Sequence, residues 1–198
     1  MKTLSEAQFL AWAQTRGIVP DPRYPNHPVL AFEGCVPIDR FWCVPPEPEA
    51  RPYFIQSLLL AMGNWSTCFA WKPMGSWPAS ADPERINDIV QLRLLKGLGL
   101  ALGNDEVLQF SSEETDVLIS LIYLTTVFGW SVSDDLHIFP DHGRQMMATD
   151  HHGVIGITCR SEEDMMQIVA RMEEEGYPLP TEIPDETFKW PYWMNKNK

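Results

Sequence analysis

The sequence predicts an α+β fold: a single domain spanning residues 1–198, with helices packed on a three- to five-stranded, mainly antiparallel sheet. Three observations carry that prediction. Residues 136–160 alternate short apolar runs with two turns that each end in glycine, the pattern of an antiparallel meander. On both sides of it, apolar residues recur at helical spacing behind recognisable N-caps. Prolines at 20, 22, 25, 28, 37, 45, 46, 48 and 52 rule out a long helix between them, because each ring removes a backbone donor and clashes with the preceding turn. A hydrophobic fraction of 44% against 21% charged residues is that of a globular chain, and 198 residues suffice for one sizeable core.

Taken in order, the first helix runs from about Ser5 to Arg16. Ser5 and Gln8 form a capping box, Phe9, Trp12 and Ala13 an apolar stripe, and Gly17 a stop. Val29–Glu33 and Ile38–Val44 are short edge-strand candidates within the proline-rich stretch. Tyr53 to Met62 is an apolar helix entered through Pro52, and Asn64–Trp77, rich in tryptophan, glycine and proline, is assigned no element. Asp82 caps a helix with Pro83 at its first position and Ile86, Ile89, Val90 and Leu94 on one face, ending near Gly97 or Gly99. Ser112 opens a helix through Val117, Leu118, Leu121, Ile122 and Leu124 to Phe128; being apolar on most faces, it is the expected central core helix.

The meander follows, with strands Leu136–Phe139, Arg144–Thr149 and Val154–Arg160 separated by Asp141-His142-Gly143 and Asp150-His151-His152-Gly153. Ser161 and Asp164 then box a helix to Glu175, stopped by Gly176, with Met165, Met166, Ile168, Val169 and Met172 on its buried side. Residues 177–198 carry Phe188, Trp190, Tyr192 and Trp193 and read as an extended strap, since that much apolar surface is costly in water. The chain thus has a helical, proline-rich portion, 1–110, and an α-β-β-β-α portion, 111–198, that ends in the strap.

Charge restricts the partners. The formal net is −12, with 11 acids and 9 bases in residues 1–110 but 16 acids and 6 bases in residues 111–198. Such a field repels phosphate backbones and anionic membranes, so no nucleic acid and no membrane is expected, whereas a basic protein is a suitable partner. Cys35, Cys43, Cys68 and Cys159 include no Cys-x-x-Cys pair and read as reduced, mostly buried thiols; a Cys35–Cys43 bridge stays open for an exported protein. Met1–Gly17 has no signal-peptide apolar core, and the 17 uncharged residues Val117–Ser133 fall short of the roughly 20 that a membrane span needs, so a cytoplasmic location is expected.

Candidate chemistry is sparse. There is no Gly-x-Ser-x-Gly elbow, no His-Glu-x-x-His helix and no phosphate-cradling loop. His137 has no nucleophile that the sequence places beside it, and Asp134 with Asp135 reads as a solvated pair before acid/base carboxylates. Asp150-His151-His152 resembles the metal-binding signature of the DHH phosphoesterases, a family that holds two metal ions with further aspartates from an Asp-x-Asp motif; no such motif occurs upstream. Asp and His before Gly are also good turn formers. Asp141 and His142 lie beyond the reach of that triplet, because the intervening strand separates the two turns by on the order of 20 Å. No catalytic residue, metal or cofactor is therefore expected, and a metal-dependent phosphoesterase at the triplet is the alternative.

Trp130, Asp135-Leu136-His137-Ile138, Asp150-His151-His152-Gly153-Val154-Ile155 and Leu179-Pro180-Thr181-Glu182-Ile183-Pro184-Asp185 with Trp190-Pro191 resemble the small immunity proteins of bacterial polymorphic-toxin and type VI secretion systems. More narrowly they are similar to those protecting against restriction-endonuclease-like nuclease toxins. The resemblance covers about the last 70 residues and implies tight neutralising binding of a cognate toxin without enzymatic activity. The charge balance agrees, since a nuclease cleft is electropositive and carboxylates gathered on one region are steered to it. The expected partner-binding residues are Asp134, Asp135, Asp141, Glu173, Glu174, Glu175, Asp185 and Glu186, on an acidic face within residues 134–186, together with Trp190. A structural adaptor or effector chaperone would share this composition.

Overall fold

The computed structural model describes residues 1–22, 29–73, 77, 86–99, 106–128 and 135–181. In chain order the elements are β1 (Lys2–Ser5), α1 (Glu6–Thr15), β2 (Ile18–Pro20), β3 (Leu30–Phe32), β4 (Ile38–Cys43), α2 (Arg51–Ala61), β5 (Thr67–Trp71), α3 (Ile86–Gly97) and β6 (Glu106–Ser111). A 3-10 turn (Ser112–Glu114) then leads into α4 (Thr115–Phe128), followed by β7 (His137–Pro140), β8 (Gln145–Asp150), β9 (Val154–Cys159) and α5 (Glu162–Glu174). The α+β class holds. The strand number does not: among the described residues, seven strands form one antiparallel sheet in the order β1-β6-β5-β7-β8-β9-β4, and β2 with β3 forms a second, two-stranded sheet.

Side-chain alternation explains why the sheet is covered on both faces. Along β5, Cys68 and Ala70 join one apolar cluster while Phe69 and Trp71 join another, and strand side chains alternate between faces. The larger cluster adds Leu108, Ile138, Met147, Ile155 and Ile157 from the sheet to Phe54, Leu58, Leu118, Leu121, Ile122, Met165 and Ile168 from α2, α4 and α5. On the opposite face, Phe9 and Ala13 of α1 and Ile18, Leu30 and Phe32 of the small sheet cover Phe69, Trp71, Val107, Phe139 and Met146.

Local signals placed most helices within a residue or two. Ser5 caps α1, its Oγ accepting from Gln8 N–H at 3.2 Å while Gln8 Oε1 accepts from Ser5 N–H at 3.0 Å. Ser161 caps α5 without the reciprocal bond to its backbone: its Oγ accepts from Asp164 N–H at 3.1 Å and its hydroxyl donates to Asp164 Oδ2 at 2.8 Å. The cap ahead of α4 lies one residue earlier than expected, with Ser111 N–H donating to Glu114 Oε2 at 2.8 Å. As a core helix α4 meets expectation, for Leu118, Leu121 and Ile122 are essentially inaccessible.

Four strands were not read from the sequence, among them β2, three residues just past the stop of α1 that end in Pro20. β5 lies inside the stretch left without an element, because a strand buried on both faces shows no alternation. β6 hides between the end of α3 and the cap of α4, and β1 is a four-residue edge strand running straight into α1. Of the thiols, Cys68 and Cys159 are buried but Cys35 and Cys43 are exposed, and all four are free. Met166 is a further correction: it is 59% exposed, while Met165, Ile168 and Met172 at i, i+3 and i+7 form the buried face of α5. The start of the expected helix at Asp82 and the strap beyond Thr181 lie outside the described residues.

Arg160, just past β9, ties the layers together. Its guanidinium donates to the carbonyls of Gly143 (3.0 Å) and Gly17 (3.0 Å) and to that of Arg16, and it stands 4.5 Å from the centre of the Phe32 ring. This arrangement requires close backbone approach at Gly143, which has φ +68° and whose added Cβ would lie 2.8 Å from Arg16 Cβ. Gly153, in the next turn, has φ +83° with nothing within 4 Å of such a Cβ. Gly143→Ala is therefore expected to destabilise the fold by about 2–3 kcal/mol and Gly153→Ala by about 1–2 kcal/mol, since only the former adds a collision to the backbone strain. Urea-unfolding midpoints check the order, and a larger loss at Gly153 would contradict it.

Candidate functional site

Among the described residues, the turn between β8 and β9 brings three titratable side chains together, Asp150, His151 and His152. Register does the gathering: Asp150 pairs with Val154 to close the turn, and Thr149 clips the chain that leads into β7. Leu136 N–H donates to Thr149 Oγ1 at 2.8 Å, and Thr149 N–H donates back to Leu136 O at 2.9 Å. Asp135 is thereby laid against the turn. Its carboxylate accepts from His151 N–H at 2.9 Å and stands 3.2 Å from His151 Nδ1 through both oxygens. Asp150 accepts from His152 N–H at 2.7 Å and lies 2.9 Å from His152 Nδ1.

The two imidazoles lean on each other, with ring centres 4.1 Å apart and planes at 39°. Asp135 is half-buried, and burial pushes its carboxyl up from the ordinary carboxylate range against the opposing pull of His151. The sequence reading weighed Asp135 and the triplet separately, and the fold brings them together. A signal existed in the meander itself, because antiparallel neighbours must return residue 135, ahead of β7, to the end of β8.

The other expected partner-binding residues are distributed differently. Asp141 is at the opposite end of β8, where its carboxylate accepts from Thr67 N–H at 3.0 Å, Ser66 N–H at 3.3 Å and the Ser66 hydroxyl, fastening the start of β5. Glu173, Glu174 and Glu175 are exposed at the end of α5. That end comes back to where β9 begins, for Tyr177 O accepts from the Trp42 indole at 3.2 Å and Trp42 pairs with Ile155. Arg171 partly neutralises the group, lying 2.6 Å from Glu175 and 3.7 Å from Glu174. Asp135, Glu173, Glu174 and Glu175 thus share one end of the sheet, without Asp141. Asp134, Asp185, Glu186 and Trp190 lie outside the described residues.

The outer surface of α5 was not anticipated. Exposed Met166 has Glu162 and Glu163 one turn before it, Ala170 one turn after and Glu173 two turns after, all exposed. Residues at these spacings share a helix face, so an apolar centre sits among carboxylates. The first of them, Glu162, also faces Arg40 at 3.8 Å.

Among the described residues, His142, Cys68 and Cys159 serve the fold. His142 Nε2 donates to Met62 O at 3.1 Å and its Nδ1 accepts from Arg144 N–H at 3.2 Å, which fixes one neutral tautomer; burial also lowers its pKa. Burial pushes the Cys159 thiol up to about 12 and raises that of Cys68 as well, so neither is a thiolate at neutral pH. The depression between α2 and α4, about 430 Å³ and lined by Pro52, Tyr53, Gln56, Thr115, Asp116 and Ile119, holds one carboxylate and no histidine or cysteine.

His137 stands against Trp71 and Phe139 on the α1 side of the sheet, and burial lowers its pKa from 6.5 to about 4. A folded-state value below the unfolded one means that the unfolded chain takes up the proton first, so stability is complete above pH ~6.5 and declines as pH falls toward ~4. The loss from this group is expected to be on the order of 2 kcal/mol, allowing for its partial exposure. His137→Phe should flatten that part of the profile in urea titrations across this window, and an unchanged slope would contradict the assignment. No family model, curated protein or solved structure matches the chain.

Proposed function

We propose that this chain is an immunity protein, binding and neutralising a cognate secreted toxin of the nuclease class through an acidic surface that includes the outer face of α5. The observation that carries the reading is Met166, exposed on a helix whose neighbouring positions Glu162, Glu163 and Glu173 are carboxylates. A basic cleft built for polyphosphate meets such a surface with complementary charge, which speeds encounter, while desolvation of an apolar centre supplies affinity. The net charge of −12 and its concentration in residues 111–198 extend the field beyond the contact. No covalent step enters this role.

Co-expression with the product of the adjacent reading frame tests it. Growth rescue and a copurifying complex are expected; neither rescue nor complex would remove the proposal. Met166→Asp should weaken the complex by about 2 kcal/mol or more, as for a central anchor. Glu163→Lys with Glu173→Lys should slow association roughly tenfold at low salt, with a smaller effect at high salt. If both variants bound like the parent, the contact would lie elsewhere than α5.

A further inference from the structure

We infer that Asp150, His151 and His152 form a binding site for a divalent transition cation of the zinc class, with Asp135 as the carboxylate that orients His151. One ligand atom from each of the three residues lies within 4.8 Å of the others. Ligands held at ~2.0–2.1 Å around a tetrahedral ion stand about 3.4 Å apart, so closure needs side-chain rotations of about an ångström. Asp150 Oδ1 already stands 2.9 Å from His152 Nδ1, close to that value. The mixed imidazole and carboxylate set selects zinc-like ions over calcium or magnesium, which prefer oxygen alone.

Preorganisation separates this turn from a chance cluster. Asp135 accepts from the His151 backbone N–H and holds its Nδ1, leaving Nε2 for an ion, and a carboxylate behind a ligating histidine fixes tautomer and ring orientation. Asp135 is itself fixed by the backbone clip between Thr149 and Leu136. With the His151 side chain 19% and the His152 side chain 35% exposed, the ion is reachable from solvent and keeps coordination positions for water or a partner group. The inference is independent of the inhibitor reading, which uses the face of α5.

Calorimetric titration of the full chain with zinc tests it. Cys43 pairs with Val154 just beyond the turn and is exposed, as is Cys35, so the titration is run in a Cys35→Ser/Cys43→Ser background to exclude thiol binding. One equivalent is expected with micromolar or tighter affinity. His151→Ala and His152→Ala should each weaken it by about tenfold or more, and Asp135→Asn by about tenfold. Zinc should also raise the melting temperature of the parent and not of the double histidine variant. Loss of all binding in the thiol-free background, or equal affinity in a natively folded His151→Ala/His152→Ala chain, would overturn the assignment.

Discussion

Burial of β5 on both of its faces is the constraint from which the remaining architecture follows. Phe69 and Trp71 project to one side of the strand and Cys68 and Ala70 to the other, and all four are nearly inaccessible. At roughly 1.5–3 kcal/mol for each large side chain removed from water, neither side could be left open. The four helices α2 to α5 cover one face and α1 with the small β2–β3 sheet covers the other. Trp71 shows the polar end of the same bargain, since its buried indole donates to Glu6 Oε1 at 2.9 Å on α1. Arg160 then joins β9, the β7–β8 turn, the end of α1 and the ring of Phe32, crossing from the large sheet to its small cover.

How much of this the sequence reveals depends on whether the signal is local. The capping box at Ser5, the N-cap at Ser161 and the glycine-ended turns at Gly143 and Gly153 are fixed by residues three or four apart, and these placed α1, α5 and the β7–β8–β9 meander correctly. β1 and β6 pair across about a hundred residues, with Lys2 opposite Gln109, a relation that no short window contains. β5 is the instructive failure, because its continuous apolar run lacks the period-two pattern of a half-buried strand and is flanked by tryptophan, glycine and proline. The misreading of Met166 has a similar origin: hydrophobic character was taken as burial, whereas the i, i+3, i+7 spacing of Met165, Ile168 and Met172 already fills the buried stripe.

At the β8–β9 turn, the residue types were legible but their grouping was not. Asp150, His151 and His152 are contiguous, so any reading finds them, yet the group that orients them is Asp135, 16 positions away from His151. Antiparallel topology makes this pair, since the strand that leaves Asp135 returns through β8 to the same end. Asp141 illustrates the converse. It is the same residue type and as turn-like as Asp135, but at the other end of β8 its carboxylate is committed to the backbone and hydroxyl that start β5, so residue type alone assigned the two aspartates one role where topology assigns two.

The charge of α5 is distributed so that the helix tolerates it. Glu162, Glu163 and Asp164 occupy the first turn, where exposed backbone N–H groups favour anions, and Asp164 is further held 3.3 Å from Arg144. Glu173 to Glu175 stand at the unfavourable end, where Arg171 at i−3 and i−4 offsets two of them. Because Met165, Ile168 and Met172 anchor the opposite face in the core, Met166 and the carboxylates around it are displayed on a rigid element. A partner meeting that face would lose little affinity to ordering it, since the backbone entropy was already spent when the helix docked on β4, β9 and α2. The same logic applies to the β8–β9 turn, whose imidazoles are oriented by hydrogen bonds that exist before any ligand arrives.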